Sequence, residues 1–360
     1  MMPKVTLLKQ YKLCKHCLER HIGAGRSSEP CYICRGLMDS LDALAKSILA
    51  AVKNYDFETF LIGAILSPQL YEREDTIRAR LKIRGTENIK NHLTRKLGIN
   101  LSQLTGKRVE YTKPDIRIML NVDKESNVDV DVISRPLPLA GIYIKKSRGL
   151  PQKQDRCVSC AGTGCNCCNF SGLSGYESVE GVLAKEIARI TGGQMLKFTW
   201  IGSEDQSSLV LGSGRPFYVR VFNPKKRSLK KKRIKGGGGI TAMLYAIDRQ
   251  PDLQPPFIVK TKIHIKCKNT LSKKCLKKLN SLSGSVVCFE NKSKIVEKRI
   301  FSVRSRQIDS NQFALTIVAD GGLMIKQFVG GEKYMKPNIS EILGDKCECI
   351  TFDILDVKLQ

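Results

Sequence analysis

The sequence predicts an α+β protein with a strand-rich C-terminal half, on three observations. Apolar residues recur at helical spacing in two N-terminal stretches, as in Leu41, Leu44, Ile48 and Val52. Period-2 alternation takes over further on, as in Ile116, Ile118 and Leu120. Nine of the fourteen cysteines fall into two tight clusters, at the spacing a soft metal requires. A chain of 360 residues implies two or three packing units, and 42% hydrophobic content can fill their cores. Sixty-one Lys and Arg against thirty-four Asp and Glu leave a charge of +27, which a polyanionic partner would relieve. Runs of ~18 apolar residues are lacking, so no spanning helix is expected. The apolar stretch Val5 to Leu8 is too short for a secretory leader, and a cytoplasmic location follows as the expectation.

The first segment, residues 1–38, holds Cys14-x-x-Cys17 and Cys31-x-x-Cys34. Two residues between thiols let one turn aim both sulfurs at one ion, and two such turns complete a tetrahedron. His16 and His21 are then surplus, and solvent or phosphate contact is expected of them. A mixed domain over 39–140 follows. Asp39 and Ser40 are good N-cap types for the helix carrying Leu41 to Val52. FETFLIGAIL reads as a buried strand. A second helix is expected from Thr86, with Ile89, Leu93 and Leu97 on one face and Gly98 stopping it. Val128, Val130 and Val132 then return antiparallel to the strand at Ile116, with KESN as the turn.

The remaining span, 141–360, opens in a Pro- and Gly-rich texture that begins near Ser134 and leads to the second cluster. There Cys157-x-x-Cys160 and Cys165-x-x-Cys168 form two knuckles joined by AGTG, with Cys167 spare. Ser178 caps a helix bearing Val182, Leu183, Ile187 and Ile190, ended by Gly192 and Gly193. KFTWI and FYVRVF are strands flanking GSEDQSSLVLGSGRP. KIHIKC, a helix faced by Leu276, Leu279 and Leu282, KRIFSVRSRQ and QFALTIVAD complete the half. The five scattered cysteines, such as Cys267 and Cys347, read as small buried hydrophobes.

The basic loop over 225–239 is the densest charge on the chain, from Lys225 to Lys235. It suits phosphate neutralisation, which supplies affinity without choice of sequence. Gly236 to Gly239 lack a following GKS or GKT and read as a flexible joint. With His264 the only histidine of the C-terminal half, no Ser-His-Asp or Cys-His set suggests itself. The loop Gly202-Ser203-Glu204-Asp205 could hold a carboxylate at a cleft edge, although an Asp there is more often a turn residue.

SRPLPLAGIYIKKSRGLPQ, CVSCAGTGCNCC, SVEGVLAKEI, GSEDQSSLVLGSGRPFYVRVFNPKKR and GGLMIKQFVGG…KPNISEIL occur in this order. With the CKHC…CYIC start, the chain resembles the archaeal Pus10 family of tRNA pseudouridine synthases over nearly its whole length. The resemblance implies a THUMP-like RNA-binding domain after the zinc knuckle, then a mixed-sheet catalytic domain with its cleft along one face. It also implies isomerisation of uridines 54 and 55 in the TΨC loop of tRNA, with no organic or small-molecule cofactor; structural zinc is read from the C-x-x-C spacing itself. Asp205 falls on the family's catalytic aspartate, as nucleophile, and Lys326 on the basic residue beside it. Arg215 would hold a phosphate or brace the loop; Thr261 and Met324 stand where substrate-contacting tyrosines are expected. Ser203 replaces the family's Arg, and Ser207 a second acidic residue. Phe217, Tyr218 or Tyr334 would have to supply the missing aromatic surface. These departures keep an alternative open, a non-catalytic tRNA-binding protein that retains the fold. The chain is expected to act as a monomer, without a membrane partner.

Overall fold

The computed structural model describes residues 11–21, 27–28, 30–291, 294–332 and 334–360. The stretch Val5 to Leu8 and part of the loop between the first two cysteine pairs lie outside them. The chain divides into two compact units, Met1–Arg135 with Asn223–Arg227, and Pro136–Phe222 with Ser228–Gln360.

In the first unit, α1 (Lys15–His21) leaves the first cysteine pair and α2 (Leu41–Val52) follows the second. Then come β1 (Thr59–Leu66), α3 (Pro68–Leu81), α4 (Ile89–Thr105), β2 (Arg108–Val109), β3 (Ile116–Val122) and β4 (Val128–Ser134). The sheet order is β2-β1-β3-β4. Only β3 and β4 form the expected antiparallel hairpin; β1 runs parallel to both β2 and β3. A parallel pair needs a long crossover, and α3 and α4 provide it. Helix α3 escapes periodicity because its sequence, PQLYEREDTIRARL, buries only Leu70, Glu74, Ile77 and Leu81. Pro68 in its first turn, after Ser67, was the available start signal.

Gly98 does not stop α4. The helix starts at Asn88, whose side chain accepts from Asn91 N at 2.8 Å, and runs to Gly106 at φ +70°. Gly98 is instead buried with Leu97 and Leu101, and a Cβ there would lie 3.7 Å from Val109. Packing of Leu93, Leu97 and Leu101 on Phe60 and Ile118 offsets the ~1 kcal/mol that glycine costs inside a helix.

The second unit comprises β5 (Leu137–Lys145), α5 (Val179–Thr191), β6 (Leu196–Trp200), β7 (Val210–Val221), β8 (Lys232–Lys235) and β9 (Ile240–Ala246). After them come β10 (Phe257–Cys267), α6 (Lys273–Lys277) with a 3-10 turn over Lys278–Leu282, and β11 (Val286–Asn291). The chain ends with β12 (Lys294–Gln307), β13 (Gln312–Asp320), α7 (Ile325–Gly330), α8 (Ile339–Leu343) and β14 (Cys347–Leu359). The strands form one mixed sheet of order β11-β12-β13-β10-β14-β7-β5-β9-β8, with β6 also on β7. Every neighbouring pair is antiparallel except β14 and β7, which run parallel and are registered at Ile354 with Val210 alone. Two antiparallel arms therefore meet at one seam. Ile263, Phe313, Leu315 and Phe328 fill the core of one arm, and Leu139, Leu183, Phe217 and Val219 that of the other.

The Pro- and Gly-containing LPLAGIYIK forms the interior strand β5, where a Cβ on Gly141 would come within 2.5 Å of the Phe217 ring. The glycine serves close approach, not flexibility. Gly236 to Gly239 are likewise no loose joint. They turn the β8–β9 hairpin, with Gly236 N donating to Ile240 O at 2.9 Å and φ positive at Gly238 and Gly239.

Candidate active site

The loop from Ile201 to Leu209 joins β6 to β7 and ends at the seam. Gly202 opens it at φ +76°, and a Cβ there would meet Arg215 at 2.6 Å and Phe257 at 2.8 Å. Only glycine fits. Glu204 then turns inward until its side chain is wholly buried. Tyr143 Oη donates to Glu204 Oε2 at 2.7 Å, Lys145 Nζ lies 3.2 Å from Oε1 and Arg215 Nε 3.5 Å from Oε2. Burial, and then the neighbouring carboxylate, push the Tyr143 phenol well above its usual range, so it stays a donor. Lys145 also reaches the carbonyls of Leu150 (2.9 Å) and Asp205 (3.4 Å).

With Glu204 anchored below, Asp205 projects into a cleft of about 320 Å³. Its Oδ1 accepts from Ser207 N at 3.0 Å and Ser207 Oγ at 2.9 Å; its Oδ2 accepts from Lys326 Nζ at 2.6 Å. Lys326 foremost, and then Ser207, hold the carboxyl down at about 2, so it is ionised at neutral pH. The same pair raises Lys326, which is more than half exposed on α7. Replacing Lys326 by Met removes the larger cause. The Asp205 carboxyl is then expected to titrate nearer the ordinary ~3.9, read by carbon-13 NMR of labelled aspartate. The charged form would thus be lost at a higher pH as acid is added. An unmoved titration would show that Ser207 alone sets the value.

Asp205, Lys326, Arg215, Thr261 and Met324 all line this one cleft. Arg215 is almost fully buried, its guanidinium committed to Glu204 and, at 2.8 Å, to the Ile201 carbonyl; of its two expected uses, this is the brace. Thr261 is buried too, and its hydroxyl has no hydrogen-bond partner among the described residues. Met324 caps α7. Phe217, Tyr218 and Tyr334 do not line the cleft; Phe217 is core and Tyr334 is solvent-facing. Its aromatic surfaces are Phe257 and Phe352, at strand positions that carried no motif.

A second clamp was not legible. Arg148 meets Asp353 of β14 through two bonds, at 2.7 and 2.8 Å, while Asp353 Oδ1 accepts from Leu209 N at 3.0 Å. Arg148 also donates to the Ser207 carbonyl. Tyr143 and Lys145 had a faint signal, sharing the inward face of β5 with Leu139.

Two cysteine tetrads could hold metal ions: Cys14, Cys17, Cys31 and Cys34, and Cys157, Cys160, Cys165 and Cys168. Four sulfurs about 2.3 Å from a tetrahedral ion stand about 3.8 Å apart. Cys14 and Cys34 are 3.6 Å apart, Cys157 and Cys165 3.9 Å, Cys160 and Cys168 3.8 Å. Backbone donors complete the second set, with Cys165 N and Gly172 N each 3.3 Å from Cys168 Sγ. The Cys168 thiol is lowered to about 6, the Cys165 N–H contributing most. Cys167 stays outside, exposed. The role expected of His21 is corrected: it is buried beside Glu74, at 3.3 Å, with Arg20 at 2.9 Å from the same oxygen. Arg20 also approaches Cys17 Sγ at 3.7 Å, tying the first tetrad to α3. Of the basic loop, Lys226 and Arg227 are engaged with Asp56 and Asp115 in the first unit. Lys232 and Arg233 are exposed on β8.

The family model described as the archaeal Pus10 THUMP domain matches residues 44–121. That described as the Pus10 C-terminal domain matches 139–242 and 259–358. The chain belongs to the Pus10 family. A relative from Nitrosopumilus maritimus, named tRNA pseudouridine synthase Pus10, is 34% identical over 98% of this chain and 97% of its own. A Pus10 of the same name from Cenarchaeum symbiosum is 32% identical over 97% of this chain and 90% of its own. Among solved structures, a Cbf5-Nop10-Gar1 complex overlaps 59% of this chain and 47% of its own at 9% identity and a TM-score of 0.33. Both Pus10 domains fall on the mixed α+β architecture described above, the C-terminal one on the ten-stranded sheet. Among the described residues, no helix is long and apolar enough to cross a membrane.

Proposed function

We propose that the chain isomerises uridine to pseudouridine in tRNA, at positions 54 and 55 of the TΨC loop. One observation carries the reading: an ionised carboxylate, Asp205, fixed at both oxygens inside a cleft of nucleobase size. The names of the Pus10 relatives support it. The target nucleotide has to leave the stack to reach such a group. Asp205 then attacks C1′ as nucleophile while the N1–C1′ bond breaks and the uracil leaves with that electron pair. After the base turns, C5 displaces the carboxylate from C1′. The C5 hydrogen passes to solvent and N1 takes a proton, so nothing is oxidised or reduced. Lys326 keeps Asp205 charged and aimed. Thr261 and Met324 line the cleft wall around the base, the Thr261 hydroxyl buried without a partner behind it.

The test is incubation of the pure chain with an unmodified tRNA transcript, mapping pseudouridine by carbodiimide adducts. Adducts at both neighbouring positions are expected. A transcript that is bound but never marked would instead favour a non-catalytic tRNA-binding protein.

In this reading both cysteine tetrads hold structural zinc, which contributes folding energy where it binds. Chelation is expected to release two zinc equivalents per chain and to unfold the segments around each tetrad, followed by metal analysis and hydrogen exchange. Release of a single equivalent would remove the Cys157 set. With +27 to neutralise, tRNA affinity is expected to fall steeply as salt rises.

A further inference from the structure

We propose that a second groove, beside the Asp205 cleft, receives the nucleotide next to the extruded uridine, its base on Trp200 and its phosphate at Lys298. This rests on the tRNA reading above. The groove has a volume of about 910 Å³ and opens into the cleft across Gly202, Ser203, Phe257 and Gly322, which line both. Its lip is nearly bare. Ser203 is short, and Gly322 sits at φ +91° with no side chain to block a strand passing between the two hollows.

Trp200, the last residue of β6, is half-buried and lines the groove. It stacks on Phe198 at 5.2 Å and 7°, and packs on Tyr143 at 5.6 Å and Phe217 at 5.7 Å. Such a platform is already ordered, so a base gains stacking without the cost of fixing the ring. Lys298, on β12, holds its Nζ 3.6 Å from where a Cβ on Gly322 would be, at the junction of groove and cleft. Among the described residues it has no carboxylate within ion-pair distance, whereas Arg156, across the groove, lies 3.8 Å from Glu180. The two acids in the groove are already engaged: Glu180 accepts from Gln154 N at 3.2 Å and Asp320 from Arg299 N at 2.8 Å. A free cation beside a fixed aromatic face, one step from a carboxylate poised for an extruded base, matches one nucleotide of single-stranded RNA.

The chain has one tryptophan, so its emission reports this groove alone. Full-length, metal-replete Asp205→Asn protein is titrated with the unmodified transcript, binding being measured in parallel by filter retention. Trp200 emission is expected to be quenched with the same midpoint as binding. Lys298→Ala is expected to weaken binding several-fold and to lower the salt slope by about 0.7, the value for one single-strand phosphate. Trp200→Ala should weaken binding about tenfold; Lys298→Ala, at a half-exposed strand position, carries the test if that variant fails to fold. Binding with unchanged emission, or a Lys298→Ala protein identical to wild type, overturns the proposal. With wild-type protein run alongside, pseudouridine formed without quenching sinks the groove and leaves the catalytic reading standing; quenching without pseudouridine does the reverse.

Discussion

Asp205→Asn is expected to abolish pseudouridine formation, by a factor of about 10⁴ or more, while tRNA affinity stays within about twofold. The carboxamide keeps the shape of the side chain and can still accept from Ser207. It loses the charge and the nucleophilic oxygen together. Lys326 loses its partner but is more than half exposed, so water takes over its solvation and the fold is little affected. Single-turnover adduct mapping gives the rate, and filter binding gives the affinity. A variant retaining a tenth of the wild-type rate would show that another group attacks.

The largest stability effect belongs to Glu204. Its side chain is fully buried between Lys145 and Arg215, which are themselves buried, with Tyr143 donating to it. Glu204→Ala strands two cations in the interior, and breaking a buried pair in this way costs about 3–5 kcal/mol. Denaturant unfolding of the metal-replete protein should show this loss, together with loss of isomerisation because the Asp205 loop is released from below. Glu204→Gln fills the volume and can still accept from Tyr143 through its one oxygen, yet turns an NH2 toward a donor and leaves the positive charge uncompensated. It should fall between the two. A Glu204→Ala protein within 1 kcal/mol of wild type would mean that water reaches this network.

The residues that sequence could place were those whose chemistry or periodicity is local. Ser178 before the Val182 and Leu183 face fixed the start of α5, and C-x-x-C spacing brought out both tetrads. The GSED loop was legible because KFTWI and FYVRVF read as strands on either side, although β7 begins at Val210, inside the stretch expected as loop. Long-range partners were not legible. Nothing near Glu204 in sequence names Tyr143 or Lys145 as the groups that bury it, because β5 reaches β7 only through sheet pairing. Arg148 and Asp353 are 205 residues apart. Glycine misled twice, at Gly98 and at Gly236 to Gly239, because close packing and tight turns use the same residue that marks chain breaks.

The lone parallel registration between β7 and β14 makes the catalytic sheet two leaves sewn at a crease. Asp205 hangs from one leaf and Lys326 from the other; Arg148 and Asp353 face each other across the same fold line. Ion pairs thus join the halves where the ladder of amides is short, beside the apolar packing of Ile354, Val357, Phe257 and Val259 on the β7 side. Bending at the crease would part the ammonium from the carboxylate and remove the foremost of the causes that hold Asp205 low, leaving Ser207 as the other.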